Sequence, residues 1–243
     1  REETGMSAAL SVTDLHAGYG QAAVLLGIGF EVAAGEIVSL VGANGAGKTT
    51  LLNVIAGVLQ PTSGAIAFDG EDITRARAHE LPSKGLVLVP EGGRLFPFMT
   101  VEENLQMGGF SQRNADDFDA SLAEVMDLFP ILRERRSQLA GHLSGGERQM
   151  CAIARAVMGR PKLIMLDEPS VGLSPKMVAE VFRLVEELAR SRGLTVVLVE
   201  QNVQEALAVS DRAYVIDHGR IVRSGQSSEL GGDPAIQSAY MGI

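Results

Sequence analysis

GANGAGKTT, at residues 42–50, contains G-x-x-x-x-G-K-T as Gly42, Gly47, Lys48 and Thr49. Residues 36–41 ahead of it are a short apolar run, and after it Leu51, Leu52 and Ile55 recur at helical spacing, so the order is strand, glycine-rich loop, helix. Glycine lets backbone N–H groups turn inward around phosphate oxygens where a Cβ would obstruct them. The helix start adds free N–H groups and its positive dipole end to the same anion. On this reading Gly42, Asn44, Gly45, Ala46, Gly47 and Thr50 line a triphosphate, Lys48 reaches its β- and γ-phosphates, and the Thr49 hydroxyl ligates Mg2+. A bare glycine-rich turn is the plain alternative, and the flanking strand and helix argue against it.

LIMLDEP, at residues 163–169, supplies the other half of such a site. Its four apolar residues read as a buried strand, with Asp167 and Glu168 at the C-terminal end, where open α/β sheets place their ligands. Asp167 is placed to hold Mg2+, directly or through water, and Glu168 to orient or deprotonate an attacking water. Alone, two acids at a strand end would read as a helix cap or a solvated pair. Beside a phosphate loop they read as catalytic.

The rest of the chain fits an α/β protein with a mainly helical insertion. Leu26, Ile28, Phe30 and Val32 alternate with Gly27, Gly29 and Glu31, the pattern of a half-buried strand. Short apolar strands are expected at 86–89, 163–167, 195–199 and 213–217, and a helix carries Met177, Val178, Val181, Phe182, Val185 and Leu188 on one side. Between about 91 and 159 helical patterns replace strands. There Phe118, Leu122, Val125, Met126 and Phe129 share one helix face, which reads as core packing. The net charge of -9 argues against nucleic acid as a partner. No apolar run approaches the ~18–20 residues that cross a bilayer, so service to a membrane would be by docking. The lone Cys151 cannot form an internal disulfide, which suits a reducing cytoplasm. The charged residues 1–5 show no signal-peptide pattern, and Met6 is a candidate start.

LSGGERQ, at residues 143–149, puts Ser144, Gly145 and Gly146 before a helix that continues through Ala152, Ala154 and Ala156, a second anion-binding helix start. A chain with one phosphate loop uses a second only if it pairs, so that this patch completes a partner's site. With GANGAGKTT, LSGGE and LDEP in this order, the sequence resembles the ATP-binding-cassette transporter ATPases from Tyr19 to the C-terminus. The resemblance implies a P-loop NTPase core of that type with an antiparallel β portion and a helical subdomain. It makes one domain, with about 6–90 and 160–243 as the nucleotide-binding core and 91–159 as the helical part. It implies that Tyr19 stacks on adenine, the alternative being a simple strand-end tyrosine.

Three positions depart from the usual family pattern: Glu91 stands for glutamine, Gln201 for histidine and Leu173 for an aspartate. Glu91 can still ligate Mg2+ or water, and Gln201 can hold the water or γ-phosphate by neutral hydrogen bonds. PEG, TVEEN, EPSVGLSP, LVEQN and SAYMG look most like the second cassette subunit of branched-chain amino-acid importers. Urea or amide importers are close, and a lipopolysaccharide exporter cassette is less similar. The implied protein is an ATP-hydrolysing motor at the cytoplasmic face of the membrane. Its implied partners are integral membrane permease subunits, a second identical or homologous cassette and, indirectly, a solute-binding protein. Residues 91–103 would pass motion to the permease, with Phe96, Pro97, Phe98 and Met99 as docking surface or, alternatively, local packing. His142 and His218 read as surface or capping residues. A non-transport cassette usually has two cassettes in one chain or a long coiled-coil insertion, and a P-loop kinase leaves LSGGE unexplained.

Overall fold

The computed structural model describes residues 8–110 and 115–241; the candidate start at Met6, residues 1–5 and the closing glycine of SAYMG lie outside them. Strands β1 (Ala8–Tyr19), β2 (Ala22–Ala33), β4 (Ser63–Phe68) and β5 (Glu71–Asp72) form an antiparallel sheet in the order β2-β1-β4-β5. Strands β3 (Ile37–Val41), β6 (Leu86–Val89), β7 (Leu163–Asp167), β8 (Thr195–Glu200), β9 (Arg212–Asp217) and β10 (Arg220–Gln226) form the larger sheet, in the order β10-β9-β3-β8-β7-β6. It is parallel from β9 to β6, with β10 antiparallel at one edge.

The larger sheet is covered on both faces, which is why β3, β7 and β8 read as continuous apolar runs. Alternate residues divide between two cores. Ile37, Ile164, Leu166, Val196 and Leu198 pack with the helices on one side. Val38, Leu40, Leu163, Met165, Val197 and Val199 pack on the other with α1 (Lys48–Ile55) and the antiparallel sheet.

In β2 the expected alternation holds for Ile28, Phe30 and Val32, which are buried, but Leu25 rather than Leu26 is the fully buried residue before them. Gly27 explains the shift. The pairing moves from Leu15↔Ile28 to His16↔Leu26, so Gly27 is the extra residue of a bulge. Its φ of 82 is a conformation that glycine adopts freely.

A short α2 (Leu81–Lys84) leads into β6. Between β6 and β7 lie α3 (Val101–Gly108), α4 (Ala115–Leu128), α5 (Pro130–Glu134) and α6 (Gly145–Val157). The expected helix-face stripe is internal: Val125, Met126 and Phe129 are buried, and Phe118 and Leu122 pack partly against the same core. Its last member falls outside the helix. Pro130 has no N–H to continue α4 but suits the first position of α5, so Phe129 sits at the junction. α7 (Pro175–Arg192) turns Val178, Val181, Phe182, Val185 and Leu188 inward, and α8 (Val203–Val209) follows β8. No helix among the described residues is long and apolar enough to cross a membrane.

Because β6, β7, β8 and β3 run parallel, their C-terminal ends meet along one edge of the sheet. The chain leaves β3 into GANGAGKTT, β7 into Glu168, β8 into Gln201 and β6 towards Glu91. Ligands bind at this edge in open α/β sheets.

Candidate active site

Gly47 closes the phosphate loop at φ 107, and a Cβ there would stand 3.0 Å from Leu25 Cδ2. The loop is propped from behind: Gly219 N–H donates to Ala46 O at 2.9 Å, while Gly219 O accepts from Leu26 N–H at 2.8 Å. Ala43, Asn44, Gly45 and Thr49 face outward, whereas Ala46, Gly47, Lys48 and Thr50 are buried. Lys48, 4% exposed, donates from Nζ to Gly42 O at 2.9 Å and Ala43 O at 3.2 Å, and pairs with Glu168 Oε1 at 3.1 Å. One ammonium thus joins the loop to the acid at the end of β7.

Thr49 Oγ1 donates to Asp167 Oδ1 at 3.2 Å. Burial pushes the Asp167 carboxyl up to about 6; the Thr49 bond and Lys48 pull it down, and Glu168 and Glu91 push it further up. A hydroxyl beside an acid that burial penalises as an anion is a hard-oxygen pair of the kind Mg2+ takes. Among the described residues no group of three or more His, Cys, Asp or Glu could hold a metal. A Mg2+ here would therefore complete its shell with phosphate oxygens and water, as that ion commonly does. Glu168 has φ 46, a left-handed conformation that costs a non-glycine residue roughly 1–3 kcal/mol. Its N–H is held by Val199 O at 2.9 Å.

Beside Gln201 the structure exposes a residue the sequence reading passed over. Glu200, 1% exposed, accepts from Ser170 N–H at 3.0 Å and pairs with Ser170 Oγ at 2.9 Å. Its signal was present in TVVLVE: an acid ending an apolar strand, as in the neighbouring LIMLDE. Burial moves Glu200 up from 4.5 to about 7, against the Ser170 bonds and helped by Glu168. Between those two values the folded protein holds more protons than the unfolded chain, so stability falls as pH rises through this window. Glu200→Gln keeps donor and acceptor capacity without the charge. It should stabilise the protein by about 2 kcal/mol at pH 8 and by well under half of that at pH 5, read as paired thermal melts.

The other expected residues lie around this edge. Gln201 and Glu91 are exposed, and Tyr19 is exposed at the end of β1. Ser144 caps α6 in a capping box: its Oγ accepts from Glu147 N–H, and Glu147 Oε2 accepts from Ser144 N–H at 2.8 Å. A Cβ added to Gly145 would be 3.5 Å from Leu173, and one on Gly146 would meet Met177, so this helix start packs beside the loop that follows Glu168. His142 and His218 are exposed, the latter in the turn between β9 and β10. Cys151 is buried and pushed up to about 12 by that burial, an inert thiol.

The segment after β6 is tied to two helices. Asn104 of α3, fully buried, accepts from Phe96 N–H at 2.9 Å and donates to Phe96 O and Thr100 O at 3.0 Å. Arg155 of α6 donates to Gly93 O at 2.8 Å and Arg94 O at 3.1 Å, and lies 5.6 Å from the Phe96 ring centre. Phe98 is 90% exposed, so local packing does not account for it. Phe96 and Met107 border a cavity of about 340 Å³ with Leu88 and Ala152.

A parallel sheet with a phosphate loop at β3, an Asp-Glu pair at β7 and a capped Ser-Gly-Gly helix start is a P-loop ATPase of the ATP-binding-cassette kind. Residues 25–171 match the ABC transporter family, and the chain belongs to it. It is 47% identical over 224 residues to the high-affinity branched-chain amino acid transport ATP-binding protein BraG of Pseudomonas aeruginosa, covering 92% of this chain and 95% of that one. It is 34% identical over 251 residues to the lipopolysaccharide export system ATP-binding protein LptB of Acidithiobacillus ferridurans, covering 98% of each. Among solved structures it resembles a nucleotide-free ATP-binding cassette from an ABC transporter, with TM-score 0.84 and 28% identity over 97% of this chain and all of that one. The chain is an ATPase that splits ATP with water into ADP and phosphate, coupled to transport across a membrane.

Proposed function

We propose that this protein is the ATP-hydrolysing motor of an importer for branched-chain amino acids, working as a peripheral subunit at the cytoplasmic face of the membrane. The carrying observation is the 47% identity to a branched-chain amino acid transport subunit, against 34% for the lipopolysaccharide export subunit. Lys48 and the loop 42–50 bind the triphosphate, and Tyr19 takes the adenine. Thr49 and Asp167 hold Mg2+, which when bound neutralises phosphate charge, with Glu91 within electrostatic reach of Asp167. Glu168 takes the proton of the attacking water, and Gln201 orients that water or the γ-phosphate by hydrogen bonds.

Two cassettes, identical or homologous, sandwich two ATP molecules, each between one subunit's phosphate loop and the other's Ser144, Gly145 and Gly146. Supporting this, Ser144 is exposed at the start of α6, where a second subunit can reach it. Residues 91–159 move as the helical part, and residues 91–103 carry that motion to permease subunits. Arg155 and Asn104 are the physical links, since they bind the docking segment to α6 and α3.

The test is reconstitution with the permease and solute-binding subunits of a branched-chain amino acid importer. Leucine, isoleucine or valine should raise ATP hydrolysis severalfold; stimulation by urea or by lipopolysaccharide alone would overturn the solute assignment. In the same system Phe98→Asp should leave the isolated chain's melting temperature and basal turnover unchanged, because a side chain this exposed contributes little to the fold. It should weaken permease association about tenfold or more, the loss expected from a central apolar contact. Normal association would remove Phe98 from the docking surface.

A further inference from the structure

Glu168 and Gln201 leave adjacent parallel strands, and the end of β7 pairs with β8 through Asp167↔Val199. Nothing in that ladder fixes how the chain turns after each strand. Pro169, next to Glu168, has no N–H to donate. The turn is tied to the end of β8 at two points on either side of it. Glu168 N–H donates to Val199 O at 2.9 Å, and Ser170 N–H and Oγ meet the two oxygens of Glu200 at 3.0 and 2.9 Å. Glu200 is covalently next to Gln201, so one carboxyl group connects the segments that carry both groups.

Burying a carboxyl at a strand end is costly compared with an apolar residue, and a two-point grip on one residue is what the cost secures here. The grip also opposes relaxation of Glu168, whose φ of 46 is sparsely populated. Further along the same loop Leu173 packs beside Gly145, so the clasp lies on the path between the hydrolytic edge and the α6 start.

We propose that Glu200 is a positioning residue for ATP hydrolysis: its clasp on Ser170 sets the spacing between the Glu168 carboxylate and the Gln201 amide. This rests on the roles given above to Glu168 and Gln201. The clasp requires reach and two polar atoms. A glutamine side chain at this position would supply both, accepting from Ser170 N–H and donating to its Oγ. Aspartate keeps the acid but is one methylene short, and alanine has neither atom.

The experiment measures kcat and KM for Mg-ATP with Glu200→Gln, Glu200→Asp, Glu200→Ala and Ser170→Ala, alongside thermal melts. The glutamine variant should stay within about threefold of wild-type kcat. The aspartate and alanine variants should lose about 10–100-fold in kcat with KM within about twofold, since a misplacement near 1 Å carries a penalty of that order. Ser170→Ala, which keeps the backbone N–H bond, should lose severalfold, and combining it with Glu200→Ala should add nothing, because Glu200→Ala already removes both bonds. Wild-type kcat in Glu200→Asp would overturn the proposal, as would a glutamine variant as slow as alanine, which would make charge rather than reach decisive. A fall in melting temperature with kcat per folded molecule intact would also overturn it. If Glu200→Ala does not fold, the aspartate, glutamine and Ser170→Ala variants decide. Glu168→Gln separates the two levels. Undiminished turnover there defeats the site reading itself, whereas lost turnover there with silent Glu200 variants defeats the positioning role alone.

Discussion

Lys48→Ala should abolish ATP turnover. The ammonium is buried and held by Gly42 O, Ala43 O and Glu168, so its direction is fixed before any substrate arrives. A triphosphate entering the loop brings several negative charges towards this one buried cation. A charge-assisted contact of this type contributes about 1.5–3 kcal/mol, and more where water is excluded, so ATP affinity should drop at least ~10–100-fold. Turnover should fall further, because charge on the transferred phosphoryl group is stabilised by the same contact. The variant also strands Glu168 beside Asp167 with no cation between them. Lys48→Arg should not rescue, since a larger planar group does not fit the space of a buried ammonium. ATP binding by calorimetry and phosphate release are the measurements, and normal values for both would defeat the phosphate-site assignment.

The loop at 42–50, the Asp-Glu strand end and the Ser-Gly-Gly helix start were legible as local structure because each is compact in sequence. The larger sheet was legible for a related reason: strands covered on both faces are unbroken apolar runs, as in residues 163–167 and 195–199. The antiparallel sheet was harder. β1 changes register at several places and β2 carries the Gly27 bulge, so neither keeps a period of two throughout. β4 and β10 are short on buried residues, and their identity as strands comes from pairing: β4 with β1, some fifty residues earlier, and β10 with β9 across the turn at His218 and Gly219.

Within the site, Glu200 escaped notice because its partner Ser170 lies thirty residues away and belongs to the other strand's turn. The same holds for Arg155 and Asn104. Each reads as an ordinary helix residue until the fold brings the segment after β6 against them. Local motifs point to the candidate phosphate contacts, whereas the bonds that hold those motifs in place come from the packing of distant segments.

Glu168→Gln should stop hydrolysis and, in stopping it, make assembly visible. Each subunit carries a formal charge of -9, and each ATP adds more, so two loaded subunits repel at long range. In the proposed sandwich a closed pair is held by short-range bonds from Ser144, Gly145 and Gly146 to the partner's γ-phosphate, and hydrolysis would remove that link. The glutamine variant keeps the side chain's size, removes its basicity and replaces its ion pair with Lys48 by at most a charge–dipole hydrogen bond. Turnover should fall by ~10²–10⁴, the usual contribution of a positioned base. ATP should persist, and the protein should elute as a monomer without nucleotide and shift towards a dimer with Mg-ATP. Salt should favour the shift by screening the repulsion. Adding Ser144→Arg should block it, because a bulky cation would occupy the place of the partner's phosphate. That change also removes the cap of α6, a loss of about 1 kcal/mol, so a melting curve must show the double variant folded. Light scattering across a salt series reads the outcome, with a homologous cassette subunit added in a second series to test for a heterodimer. Failure of Glu168→Gln to dimerise with ATP in either series would remove the sandwich from the mechanism and leave each subunit to hydrolyse ATP alone.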